Sequence, residues 1–177
     1  GLVLHTHMRM HGSWHIYRTG ERWRAPSHDM RIVIGAEPYV AVAFNVPVAE
    51  FLTAGQLATH PQIQALGPDL ADPSFDRGEV RRRFDEHRLE PVHDVLLNQR
   101  VLSGIGNVLK SEVLFVTRLN PFTLVRDLDA TAFDHLIDTS LRLMKMNIVE
   151  SASMTPVFGR RTTGSLDPLA KLFVYGR

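Results

Sequence analysis

Arg100, Gly104, Gly106, Asn107 and Lys110 lie close together in the run Leu96-Leu97-Asn98-Gln99-Arg100-Val101-Leu102-Ser103-Gly104-Ile105-Gly106-Asn107-Val108-Leu109-Lys110-Ser111-Glu112, and their types suit the holding of an anion. The two glycines around Ile105 let the backbone turn tightly and come close to a ligand. Asn107 is suited to cap a helix running from Val108 to Thr117, and the free amides at such a helix start attract negative charge. Arg100 before the turn and Lys110 one turn into the helix add cations on either side, which together describes a clamp for a phosphate backbone. The same residues also fit an ordinary tight turn between packed helices, with Asn107 acting as a cap and nothing more.

Two other clusters could do chemistry. His5 and His7 share one face of a strand, a spacing that can hold a metal ion, and His11 and His15 lie nearby. No carboxylate or cysteine stands at a matching offset in the sequence to complete a site, so polar residues on a solvated surface account for them and no metal is expected. The run Arg81-Arg82-Arg83 reads as a solvated helix face, with a phosphate contact as the lesser alternative.

The chain as a whole limits what these clusters can mean. Lys plus Arg number 20 against 19 Asp plus Glu, so the net charge of +1 supplies no general basic field, and nucleic-acid binding would rest on local patches. The absence of cysteine excludes disulfides, thiolate catalysis and cysteine-bound zinc within these residues. With 177 residues, 44% of them hydrophobic, the chain can bury one good core or two modest ones. No apolar run approaches the roughly 18 residues of a membrane span, and no leader-like segment opens the chain. A soluble, cytoplasmic monomer is expected. Gly1 opens directly on a strand-like alternation and Tyr175-Gly176-Arg177 follows another apolar run, so both ends are expected to be cuts in a longer chain.

The elements that would position these residues fall into two groups. Leu2 to Met10, Trp14 to Arg18, Arg31 to Ile34 and Tyr39 to Phe44 are apolar and β-tolerant, the last two suggesting antiparallel partners. Pro61, Gly67, Pro68 and Pro73 then mark a boundary. Beyond it the period is helical: Asp76 can cap a helix that sets Val80 and Phe84 on one face, and Pro91 opens a short helix with Val92, Val95 and Leu96. Asp129 can cap a longer one carrying Phe133, Leu136, Ile137, Leu141, Met144 and Ile148. The expected fold is therefore α+β, an antiparallel sheet fragment followed by a helical region.

The pattern Leu-x-x-Gln-Arg-x-x-x-Gly-Ile-Gly-Asn-x-x-x-x-Glu resembles the helix-two-turn-helix element of the formamidopyrimidine-DNA glycosylase and endonuclease VIII family. Three further segments resemble that family in order: His7-Met8-Arg9-Met10-His11-Gly12, Leu66-Gly67-Pro68-Asp69 and Leu172-Phe173-Val174-Tyr175-Gly176-Arg177. The resemblance covers essentially the whole chain and implies an antiparallel β-sandwich remnant over residues 1–72 followed by a helical, helix-two-turn-helix DNA-binding domain over residues 73–177. It implies base-excision repair, with double-stranded DNA carrying damaged or abasic sites as partner, held in a cleft between the two domains. The hairpin Arg100, Gly104, Gly106, Asn107 and Lys110 would grip phosphates. Arg9, Met10 and His11 would fill the gap left by an extruded nucleotide, Met10 being the main wedge because an apolar group fills a vacated stack with little desolvation. Arg160 and Arg161 fall where the family has a loop over the lesion pocket.

The resemblance also implies a catalytic apparatus that cannot be placed on these residues. The family's enzymes attack C1′ of the damaged nucleotide with an N-terminal proline amine, aided by a glutamate and a β-hairpin lysine. Gly1 is not that proline, and Glu90-Pro91 has the reverse order. The family's C-terminal zinc finger, with four cysteines, would begin after Arg177. These 177 residues are thus expected to hold no catalytic residue and no cofactor, and to bind DNA without cutting it. The family's other branch carries an Arg and a Phe in a later loop, and Asn45-Val46-Pro47-Val48 has neither. This favours the endonuclease VIII branch, whose usual targets are oxidised pyrimidines. Two rival readings remain: a DNA-binding module without catalysis, and a metal-dependent β-barrel enzyme using His5 and His7.

Overall fold

The computed structural model describes residues 1–9, 11–147, 162–163 and 172–176. They divide into two compact units, residues 1–64 and 65–177.

The first unit holds two small antiparallel sheets. β1 (Leu2–His7) pairs with β5 (Val48–Thr53), setting His5 opposite Glu50. β2 (Ser13–Arg18) and β3 (Met30–Ala36) flank β4 (Tyr39–Phe44). The run Tyr39-Val40-Ala41-Val42-Ala43-Phe44 takes the centre because its small and β-branched side chains suit a strand hydrogen-bonded on both edges. Tyr17, Val42 and Phe44 form the buried core, with Trp23 and Met30 against it and the Trp23 and Phe44 rings edge to face at 5.9 Å. After β5 the side chain of Thr53 accepts from the Gln56 amide while that of Gln56 accepts from the Thr53 amide. This capping box starts α1 (Ala54–Ala58), and α2 (Pro61–Gln64) follows.

The second unit is helical. α3 (Arg77–Glu86) is capped by Asp76, whose side chain accepts from the Glu79 amide at 3.0 Å, and Val80 and Phe84 are buried as their spacing implies. α4 (Val92–Leu97) follows Pro91, α5 (Asn107–Thr117) follows the Gly104-Ile105-Gly106 turn, and α6 (Ala130–Lys145) is capped by Asp129 at 2.7 Å. Phe84 and Phe133 meet edge to face at 5.4 Å in a core shared with Leu96, Leu102, Ile105, Leu136 and Leu143. The sequence places Ile148 on the last helix; it lies outside the described residues. Among the described residues no helix is long and apolar enough to cross a membrane.

Residues 65–72 lie with the helical unit, and hydrogen bonding explains why. Gly67 N–H donates to the Gln99 carbonyl at 2.8 Å, Ser103 N–H to Pro68 at 3.0 Å and Leu70 N–H to Ser103 at 3.2 Å. The Leu70 side chain is then buried in the helical core.

Candidate nucleic-acid interface

The turn before α5 is built from both sides. Gly104 has φ +100°, a conformation that side-chain-bearing residues rarely adopt, and a Cβ there would lie 3.0 Å from the Met144 methyl. The Gln99 side chain spans the turn: its oxygen accepts from the Gly104 amide at 3.1 Å and its amide nitrogen donates to the Ile105 carbonyl at 2.7 Å. Ile105 is buried beneath the turn, while Gly104, Gly106 and Asn107 are exposed. From behind, the Ser103 hydroxyl donates to the Gly67 carbonyl at 3.1 Å. A Cβ at Gly67 would sit 2.5 Å from the Val101 carbonyl carbon and oxygen, so the close approach of the two segments requires glycine.

Asn107 does not cap α5. The cap position belongs to Gly106, with extended backbone at ψ −178° and no side-chain cap hydrogen bond, and Asn107 is the first helical residue. The physical reason is that Gly106 already carries the chain into the helix, which leaves the Asn107 side chain at the surface. The Lys110 ammonium donates to the Asn107 side-chain oxygen at 3.4 Å, so the two lie side by side at the helix start. The first amides of α5 have no intrahelical acceptor and no capping side chain, which is the arrangement that receives an anion. Arg100 is exposed, its amide tied to Asn98 at 3.1 Å and its carbonyl to the Arg83 guanidinium. The structure therefore brings Gly104, Gly106, Asn107 and Lys110 together at the start of α5, whereas Arg100, expected beside them, is exposed in a cleft that it lines with Arg82, Arg83 and His87. Gln99 is the positioning residue that reading the motif alone missed: its place before Arg100 was visible, but its bonds across the turn were not.

The arginine run is occupied by carboxylates. Arg82 binds Glu79 at 2.7 Å and also Glu86, Arg83 binds Glu79 at 2.7 Å, and Arg81 binds Asp85 at 3.3 Å while lying 4.9 Å from the Phe133 ring centre. Hydrogen bonds from Arg82 and then Arg83 lower the Glu79 carboxyl to about 2. This run is a helix face neutralised by its own neighbours.

In the first unit, the loop from Met8 to Gly12 presents exposed Arg9 and His11. Arg9 adopts φ 48°, its amide donating to His7 Nδ1 at 3.1 Å, and the Gly12 amide closes the loop onto the Met8 carbonyl at 2.8 Å. Met10, Arg160 and Arg161 lie outside the described residues.

His5 and His7 do not form a pair. His5 Nδ1 lies 2.9 Å from Glu50 Oε1, and His60 Nε2 lies 3.2 Å from the same oxygen, whereas His7 is exposed and turned to the Arg9 amide. The expectation that no carboxylate accompanies His5 is thus corrected. Glu50 is far along the chain but directly across the sheet, because β5 pairs with β1. Hydrogen bonding to His5, with a smaller share from His60, holds the Glu50 carboxyl below its ordinary value of 4.5.

Buried Glu112 is a second carboxylate that the motif contained without showing its part. It faces the core one turn after Val108, and one oxygen accepts from the amides of Val174 at 2.8 Å and Tyr175 at 2.9 Å. The other accepts from the Phe173 amide at 2.6 Å and from the Thr162 hydroxyl. Burial pushes this carboxyl up, but the hydroxyl and the three amides more than reverse that and leave it below 4.5.

Comparison with known proteins agrees with this architecture. Residues 66–158 match the formamidopyrimidine-DNA glycosylase H2TH domain. The chain is 36% identical over its full length to "Probable endonuclease 8 2" of Streptomyces coelicolor, covering 60% of that protein. It is 29% identical over 82% of its length to "Endonuclease 8" of Escherichia coli (strain K12 / DH10B), covering 56% of it. Among solved structures, the Lactococcus lactis Fpg complex with DNA containing an abasic site matches 82% of this chain and 53% of that one, with a TM-score of 0.68 at 18% identity. The chain spans about three fifths of the length of the curated relatives it matches.

Proposed function

We propose that this chain, which belongs to the formamidopyrimidine-DNA glycosylase and endonuclease VIII family, grips the sugar-phosphate backbone of damaged double-stranded DNA through its Gly104-Ile105-Gly106-Asn107 turn. The observation that carries this reading is the uncapped start of α5, exposed and with Lys110 beside Asn107; Arg100, four residues before Gly104 in the chain, is proposed to add a further phosphate contact. We extend the reading to the whole protein as a base-excision repair glycosylase and abasic-site lyase of the endonuclease VIII kind, acting on oxidised pyrimidines in the cytoplasm. The names of its relatives support the endonuclease VIII kind, and the L. lactis complex supports abasic DNA as the form of partner. Arg9, Met10 and His11 are proposed to fill the vacated stack, and Arg160 and Arg161 to reach the lesion. The family's finger zinc has no cysteine ligands among these 177 residues, so it takes no part in this reading of them.

Two measurements test the grip. Binding to duplex DNA is expected to weaken steadily with salt, with a log-log slope of about −0.9 per phosphate neutralised, and to survive scrambling of the sequence. An affinity that does not change with salt would remove the phosphate reading. In the same assay on abasic-site DNA, Asn107→Ala is expected to weaken binding roughly 10- to 100-fold, the range covered by a charge-assisted hydrogen bond of about 1.5–3 kcal/mol. Arg82→Ala should change affinity by less than about twofold, because its charge is already engaged by Glu79 and Glu86. Since Asn107 does not cap the helix, its variant should keep the wild-type circular dichroism spectrum. Equal binding by the two variants would return the turn to a purely structural role.

A further inference from the structure

We propose that His5, Glu50 and His60 form a binding site for one divalent transition-metal ion, zinc above all. These residues belong to the first unit, the phosphate-gripping turn to the second. One ligand atom from each residue falls in a group whose members all lie within 4.8 Å of one another. The two distances to the shared Glu50 oxygen, 2.9 Å from His5 Nδ1 and 3.2 Å from His60 Nε2, are close to the edge of a zinc tetrahedron. For bonds of about 2.0–2.1 Å that edge is about 3.3 Å. An ion entering here would need the two imidazoles to part slightly from the carboxylate and their nitrogens, within 4.8 Å of each other, to settle to that same edge.

The chemistry of the donor set selects the ion. Two imidazoles and one carboxylate suit zinc and its neighbours, whereas magnesium and calcium prefer all-oxygen shells. Glu50 is 40% exposed while the histidines are 20% and 14% exposed, so water can reach the remaining position from the carboxylate side. Three elements place the donors: β1 carries His5, β5 carries Glu50 opposite it, and the capping box at Thr53 turns the chain so that His60 comes back over the sheet. The His5 and His60 rings meet edge to face at 5.2 Å. The buried Nδ1 of His60 has no hydrogen-bond partner among the described residues, so nothing on that side fixes the ring in its present hydrogen bond to Glu50. A bound ion would fasten the two-stranded sheet to the segment that follows it, and metal affinity would then appear as folding stability.

The test is equilibrium dialysis of the 177-residue chain against zinc, with metal analysis and thermal melting. Wild-type protein is expected to retain one zinc per chain and to melt at a higher temperature with zinc than without. Glu50→Gln and His60→Gln should each weaken retention by about tenfold or more and abolish the thermal shift, while His11→Gln should leave both unchanged. Cobalt substitution supplies a second readout that does not depend on the variants, since a four-coordinate cobalt ion gives visible absorption bands that an octahedral aquo ion lacks. Wild-type protein that retains no zinc overturns the proposal and leaves a plain hydrogen-bonded His-Glu-His cluster. So does retention that survives both substitutions, which would place the ion on other histidines.

Discussion

Glu112→Ala is expected to lower the stability of the helical unit by about 2–3 kcal/mol, on the order of 10–20 °C in melting temperature. The side chain is fully buried, and its removal leaves the amides of Phe173, Val174 and Tyr175 to find water by detaching from α5. Hydrogen exchange should therefore quicken at those three amides before it does in the core. Glu112→Gln separates charge from shape. A single carbonyl oxygen can still serve Val174 and Tyr175, but the new amide nitrogen would face the Phe173 N–H, donor against donor. Its loss should fall between those of wild type and alanine. The pH dependence has a definite sign, because the folded carboxyl lies below its ordinary 4.5. The stabilisation is complete above pH 4.5 and is lost as pH falls through the folded value, so the gap between wild type and Glu112→Gln should narrow only on the acid side. A gap that persists unchanged to the lowest pH at which both remain folded would show that the charge contributes nothing.

Gly67→Ala should cost roughly 3 kcal/mol and weaken DNA binding more than tenfold, although Gly67 lies well away from the turn in sequence. A methyl placed 2.5 Å from the Val101 carbonyl and 2.8 Å from the Leu102 nitrogen meets backbone, which cannot swing aside as a side chain would. Relief requires separating residues 66–70 from residues 99–103, which breaks the bonds that hold Gln99 and Ser103, the residues on which the turn at Gly104 is built. Gly106→Ala is the contrasting case. Its φ of −110° is ordinary and a Cβ there has open space within 4 Å, so the cost should be confined to alanine's poorer fit at a helix N-cap, about 1 kcal/mol or less. Binding should nevertheless fall, since the added methyl occupies the approach to the α5 amides. Thermal melting combined with binding to abasic-site DNA distinguishes the two. If Gly106→Ala binds as wild type does, the phosphate does not approach there.

What could be read in the sequence was what acts over short distances. Asp76 and Asp129 cap their helices through contacts three residues away, and the apolar spacing of Val80 with Phe84, or of Phe133 with Leu136 and Ile137, reports a helix directly. The motif around Gly104 marks the turn and the residues Gly104, Gly106, Asn107 and Lys110 at the start of α5. The unread parts depend on partners far along the chain. β5 was not identified, because Val48-Ala49-Glu50-Phe51-Leu52-Thr53 has a charged residue on one face and is a strand chiefly through its pairing with β1. Glu50 was therefore absent from the reading of His5, which lies 45 residues from it. Glu112 shows the same limit, since its amide partners are 61 to 63 residues away. Asn107 failed differently: the local rule favoured it as a cap, but Gly106 reached the cap position first.

The turn before α5 is fastened at front and back by bonds within the chain itself: Gln99 across its mouth, Ser103 to Gly67 and Pro68 behind, and Ile105 buried beneath. A loop held in this way surrenders almost no conformational entropy when it meets an anion, so nearly all of each contact's energy survives as affinity. The consequence reaches the kinetics of search. Under the proposed phosphate grip, a surface that needs no folding step would engage and release successive phosphates as fast as diffusion brings them.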